Sequence, residues 1–207
     1  MGLLQDFKAA AVQRARFPDD QSLNNAALFS LVRDMPFERA SALTPETVVS
    51  EWRGTAPGKH VLLQGLYEEF GLGTMLICGL HEFTQASHPW LPQHLLDDLE
   101  RDGPVRDVAM FLRLHIGGDW MTIDATWPLA AARLGLPVNE RFEENHEMTL
   151  ACDPDEVYHI PPQANPEEFG QIMIERYVGD TLARRNRFID ELGAWLAREV
   201  GAGSTHS

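Results

Sequence analysis

RGTAPGKHVLLQGLYEEFGLGTMLICG, from Arg53 to Gly79, is the stretch from which the rest of the chain is read. Gly54, Pro57 and Gly58 mark a turn. Val61, Leu62, Leu66 and Phe70 then recur as one buried helical face, and Gly71 and Gly73 stop it. TMLICGLHEF (74–83) follows as a largely apolar run, the pattern of a mostly buried strand.

On the N-terminal side, residues 2–16 and 21–33 have helical spacing, the second stopped before Pro36. Thr44 is placed to cap a short helix reaching about Trp52, with Pro45 as its first residue and Glu46 complementing its dipole. On the C-terminal side, HPWLPQHLLDDLERDG (88–103) reads as a loop and a helix beginning after Pro92. VRDVAMFLRLHIGGDWMTIDATW (105–127) is the clearest hairpin, two alternating strands around Gly117-Gly118. Residues 134–165 read as strand and loop, and 171–200, with Leu182, Phe188, Ile189, Leu192 and Trp195, as a closing helical segment. Helices first, then hairpin-joined strands, predict an α+β domain with an antiparallel sheet. A single domain is expected over 1–200, with a disordered tail, GAGSTHS, over 201–207.

The chain has 207 residues, 44% of them apolar, enough for a core without disulfide or metal staples. No run approaches the roughly 18 apolar residues that span a bilayer, and the first 20 residues lack a signal-peptide pattern. Asp6 stands where a myristoylation site wants Ser or Thr. Two distant cysteines, Cys78 in the apolar strand and Cys152 before Asp153-Pro154, fit a reducing cytoplasm. The formal charge of −14 argues against nucleic acid and anionic membrane, as do basic residues that are scattered apart from Arg184, Arg185 and Arg187, which read as a solvated helix face.

VRDMPFERAS (32–41), RGTAPGKHVLLQGLYEEFG (53–71) and AMFLRLHIGGDWMTIDATWP (109–128) together resemble the transglutaminase-like superfamily. The resemblance implies a papain-like core, a helix packed on an antiparallel sheet. It also implies a cysteine at the helix N-terminus, a histidine on the first hairpin strand and an aspartate on the second. A helix terminus lowers a thiol's pKa, and a neighbouring imidazole completes its activation. In this chain Gly54-Thr55-Ala56-Pro57-Gly58-Lys59-His60 puts Ala56 at the cysteine position. The hairpin turn sets Asp124 opposite Ala109 or Met110, and the family spacing selects Ala109 as the histidine position. His115, six residues further on, lies about 20 Å along the strand and belongs to the turn.

Two of three catalytic positions therefore carry a methyl group. Removing such a nucleophile costs on the order of 10⁶ in turnover, so thioester chemistry is not expected. Asp124 is either a carboxylate bonded to backbone amides or a general base and ligand anchor of the old cleft. Lys59 and His60, one turn beyond Ala56, are either packed structural groups or binders of an anionic or carbonyl group. Phe111 and Trp127 are core or rim aromatics that some ligands would meet. Of His81 and Glu82, adjacent on a strand, only one can line the site. The eight histidines show no HExxH and no Cys/His pair spacing, so neither metal nor cofactor is assigned. A site assembled from His81, His115, His146 or His159 is the open metal alternative.

These expectations converge on a repurposed small-molecule protein. It would use Asp124, with Ala56, Lys59, His60, Ala109, Phe111 and Trp127 around the ligand, and a step in specialised biosynthesis is one such role. Two alternatives stand beside it. One is a non-catalytic scaffold with a protein partner, which calls for a filled cleft and an exposed apolar patch. The other is a cysteine acyltransferase or amidase inactivated by mutation.

Overall fold

The computed structural model describes residues 2–202, with the backbone alone at Ala202. Four helices come first: α1 (Leu3–Gln13), α2 (Asn25–Arg33), α3 (Pro45–Glu51) and α4 (Ala56–Glu69). The local chemistry explains their ends. Asn24 and Thr44 accept the amides of Ala27 and Thr47 at the starts of α2 and α3. The predicted helix over 21–33 thus begins only at Asn25, because Asn24 takes an extended conformation to act as cap. α4 closes with Gly71 at φ +78°, its amide and that of Leu72 bonding back to Glu68 and Tyr67.

Then follow β1 (Gly73–Phe83), α5 (Gln93–Asp102), β2 (Val105–Ile116), β3 (Asp119–Ile123), β4 (Glu156–His159), α6 (Pro166–Tyr177) and α7 (Leu182–Ala202). The strands form one antiparallel sheet in the order β3-β2-β1-β4. The fold is α+β. The hairpin turns at Gly117 and Gly118, both at positive φ, as the two-residue turn requires. The closing segment predicted as one helix is two, because Gly179 adopts φ +57° between α6 and α7. The expected disordered tail is helical at Gly201 and Ala202; residues 203–207 lie outside the described residues.

One apolar cluster packs Leu62, Leu63 and Leu66 of α4 against Leu76, Cys78, Met110 and Leu112 of the sheet. A second packs Phe83 and Val105 against Leu95 and Leu99 of α5 and Phe188, Ile189 and Leu192 of α7. β3 pairs with β2 only from Leu112↔Ile123 to Ile116↔Asp119. Residues 105–111 of β2 therefore have a strand neighbour on the β1 side alone. Continued past Ile123, that register brings Asp124 level with Phe111, two residues from the Ala109 expected from the sequence. Among the described residues, no helix is long and apolar enough to cross a membrane.

Candidate functional site

Where β3 stops, a cavity of about 340 Å³ opens beside β2. This is within the range of small-molecule sites, roughly 300–1,000 Å³. One wall is the start of α4, with Gly54 to Gly58 all lining it. Another is the sheet, through His81 of β1 and Asp107 and Ala109 of β2. Thr126 and Trp127, the loop residues Ala151 and Cys152, and parts of α6 and α7 complete it. Ala56 and Ala109, the two positions that resemblance would give to a thiol and an imidazole, line the same space.

Two polar clusters lie near α4, and only one of them borders the cavity. Lys59, His60 and Asp124 form the first, and none of the three lines it. Asp124 accepts the Thr126 amide at 2.9 Å through Oδ1 and the Ala151 amide at 2.7 Å through Oδ2. The carboxylate thereby fixes the two loops that follow the hairpin. His60 donates from Nδ1 to the Ala56 carbonyl at 2.8 Å, and its Nε2 accepts the Ala125 amide at 2.9 Å. That pattern holds the ring neutral, and burial keeps its pKa below the ordinary value despite the charge of Asp124. Lys59 donates to the carbonyls of Arg33 at 2.8 Å and Thr126 at 2.9 Å. Burial lowers its pKa to about 7, partly countered by Asp34 and Asp124. Phe111 likewise stands apart from the cavity and covers Gly79, where an added Cβ would meet its ring at 3.5 Å.

The second cluster is the cavity wall. His81 and Asp107 are register partners on β1 and β2. Arg185 of α7 donates to Asp107 Oδ1 from both Nε (2.7 Å) and Nη2, and the Val108 amide adds a third bond at 2.7 Å. Three donors on one oxygen leave Oδ2 facing His81 Nε2 at 3.9 Å, beyond hydrogen-bond reach. Burial depresses the His81 pKa more than Asp107 raises it, and Arg185 adds to the depression. The imidazole is therefore neutral at neutral pH.

Unpartnered atoms mark this side. Among the described residues, four buried side-chain polar atoms have no hydrogen-bond partner, and three of them belong to cavity-lining residues. They are His81 Nδ1, Thr126 Oγ1 and Trp127 Nε1, on residues only 3–4% exposed. Such groups ordinarily cost 1–3 kcal/mol each when left unpaired.

Cys152 also lines the cavity. Burial, then the charges of Asp124 and Asp107, push its thiol well above the ordinary range, the reverse of an activated nucleophile. Cys78 is buried in β1 with its thiol pushed up to about 12. Neither thiol is hydrogen-bonded to a histidine among the described residues. No group of three or more His, Cys, Asp or Glu among them could hold a metal ion. His115 sits beside the hairpin turn against Trp120, as its distance from Ala109 predicts.

Sequence reasoning noticed His81 and missed Asp107 and Thr126, and Arg185, expected on a solvated helix face, is instead buried against Asp107. Asp107 carried a usable signal, a carboxylate in a largely apolar strand, on the same face as Ala109. Arg185 carried none, because its partner is 78 residues away. Comparison with protein-family models, with curated proteins and with solved structures found no match.

Proposed function

We propose that this chain is a transglutaminase-like protein whose cleft has been turned from thioester chemistry to the non-covalent handling of a small molecule. Acid–base chemistry, if the ligand is turned over, falls to His81. What supports the fold part is the order of elements. Ala56 begins a helix that packs on the sheet, Ala109 lies on the central hairpin strand, and Asp124 follows the hairpin. The observation that carries the functional part is the open cavity lined by Ala56 and Ala109, with a buried imidazole in its wall that makes no hydrogen bond among the described residues.

The chemistry follows from the electrostatics. A neutral His81 presents Nδ1 as an acceptor or donor toward the ligand. An imidazolium formed there is stabilised by Asp107, which Arg185 and the Val108 amide hold in place. Asp124, with both oxygens on backbone amides, serves this reading as the brace of the Thr126 and Ala151 loops. The scaffold alternative calls for a filled cleft. Here the cleft is open.

The test is a native mass spectrum after incubation with a mixed small-molecule library, run beside Ala109→Trp, which fills the cavity. The expected result is adducts on the wild type that Ala109→Trp loses while keeping its circular dichroism spectrum. Equal adducts on both proteins, or none on either, would overturn the reading. Turnover of any ligand found should survive iodoacetamide and fall at least 100-fold in His81→Gln.

A further inference from the structure

We infer that the ligand of this cavity is a small monocarboxylic acid with an apolar body, its carboxylate seated at the N-terminus of α4. This rests on the cavity reading above and names the ligand class. The first observation is the helix start. Thr55, the N-cap, makes no side-chain bond to the helix, Pro57 has no N–H, and the first intrahelical bond is Lys59 to the Thr55 carbonyl. The amides of Ala56 and Gly58 consequently have no acceptor among the described residues, and both residues line the cavity. A 14-residue helix concentrates partial positive charge at that end.

The second observation is independent of the helix. Trp127 Nε1 can only donate, is buried without a partner, and belongs to the same cavity lining, as does the unpartnered Thr126 hydroxyl. A ligand that satisfies these groups supplies acceptor oxygens. Two oxygens on one carbon match two sets of donors, the helix amides on one hand and Trp127 with Thr126 on the other.

Charge selects a monoanion. The ionisable residues lining the cavity are Arg39, His81, Asp107, Cys152, Glu167 and Arg185. Arg185 is committed to Asp107, and Arg39 at the rim to Asn186 and Asp190. No uncommitted cation remains to neutralise a phosphate dianion, and Glu167, bonded among the described residues only by the Leu43 amide at 3.5 Å, adds negative charge to the lining, so a single negative charge at the helix end is the most it accepts. Phe37, Phe83, Met110, Ile174, Leu182 and Ile189 supply the surface for an apolar body.

The experiment is calorimetric titration at pH 7.5 with 4-phenylbutyrate and its neutral counterpart, 4-phenylbutyramide. Two variants accompany the wild type. Ala56→Pro removes one helix amide at a position where proline is tolerated, since Thr55 is already extended at φ −78°, ψ −179°. Trp127→Phe removes the indole N–H and keeps a ring. The acid is expected to bind the wild type at least tenfold more tightly than the amide. Each variant should weaken the acid about fivefold or more and leave the amide within twofold. Equal binding of acid and amide, or variants that weaken both alike, would overturn the carboxylate assignment while the cavity reading stands. Binding of neither probe also overturns it, and the Ala109→Trp comparison then decides the cavity reading separately.

Discussion

Two histidine–aspartate pairs lie on either side of the α4 start, and they differ in one respect that matters more than distance or burial. His60 and Asp124 are 3.9 Å apart, as are His81 and Asp107. All four residues are at most 7% exposed. In the first pair both ring nitrogens and both carboxylate oxygens have backbone partners. In the second, neither ring nitrogen of His81 has a hydrogen bond among the described residues, and polar atoms of Thr126 and Trp127 share that condition. Folding satisfies a polar group when it is there to hold the chain. A buried group left unsatisfied costs stability, and among the described residues three of the four such groups belong to residues that line the cavity.

The comparison breaks most easily at Asp124. Asp124→Ala strips acceptors from two buried amides and should cost about 3 kcal/mol in urea denaturation. A loss below about 1 kcal/mol would mean that this cluster is not what braces the two loops.

Acid should act on both clusters. Burial holds the folded-state pKa values of His60, His81 and His88 below the ordinary 6.5, that of His88 at about 4. The unfolded chain then binds more protons below pH 6.5, so stability is full above that pH and falls as pH drops toward 4. The slope should be on the order of 1 kcal/mol per pH unit for each group titrating. Denaturation midpoints that stay flat from pH 7 to 4.5 would contradict it.

Lys59 gives the opposite end of the pH scale. Its folded pKa of about 7 lies below the ordinary 10.5, so the unfolded chain holds a proton that the folded chain has released. Stability should rise between those values. Lys59→Met should cost about 2 kcal/mol at pH 9, where two carbonyls lose their donor, and less at pH 6, where it also removes a buried charge. A cost that grows toward low pH would show that Lys59 is held as a cation.

The smallest expected change sharpens the contrast best. Thr126→Val replaces an unpartnered hydroxyl by a methyl of the same shape. It should leave stability unchanged or raise it by up to about 1 kcal/mol, while weakening the phenylbutyrate titration. Destabilisation by 2 kcal/mol would show that this hydroxyl belongs with the structural groups.

Much of the fold was legible because its signals are local. The Thr44-Pro45-Glu46 helix start, the helix after Pro92 and the Gly117-Gly118 hairpin rest on capping and turn chemistry within a few residues. The break at Gly179 was missed because apolar spacing continues across it; a positive φ at Gly179 and the short 3-10 helix Gly179–Thr181 separate α6 from α7. The site was legible in part. Ala56, Ala109 and Trp127 line the cavity, whereas Lys59, His60, Phe111 and Asp124 pack behind it. Periodicity says which residues share a helix face; it does not say which of two buried faces meets a ligand.

The sequence by itself determined the α+β composition, the two methyl groups at Ala56 and Ala109, and the absence of a nearby HExxH or Cys/His pair, because these depend on residue identity and short spacing. Only tertiary structure decided that Asp124 is bonded to Thr126 and Ala151, that Arg185 reaches back to Asp107, and that His81 is left with a free ring nitrogen. Hydrogen-bond satisfaction is a property of atoms brought together from distant parts of the chain, and no window along the sequence contains both partners.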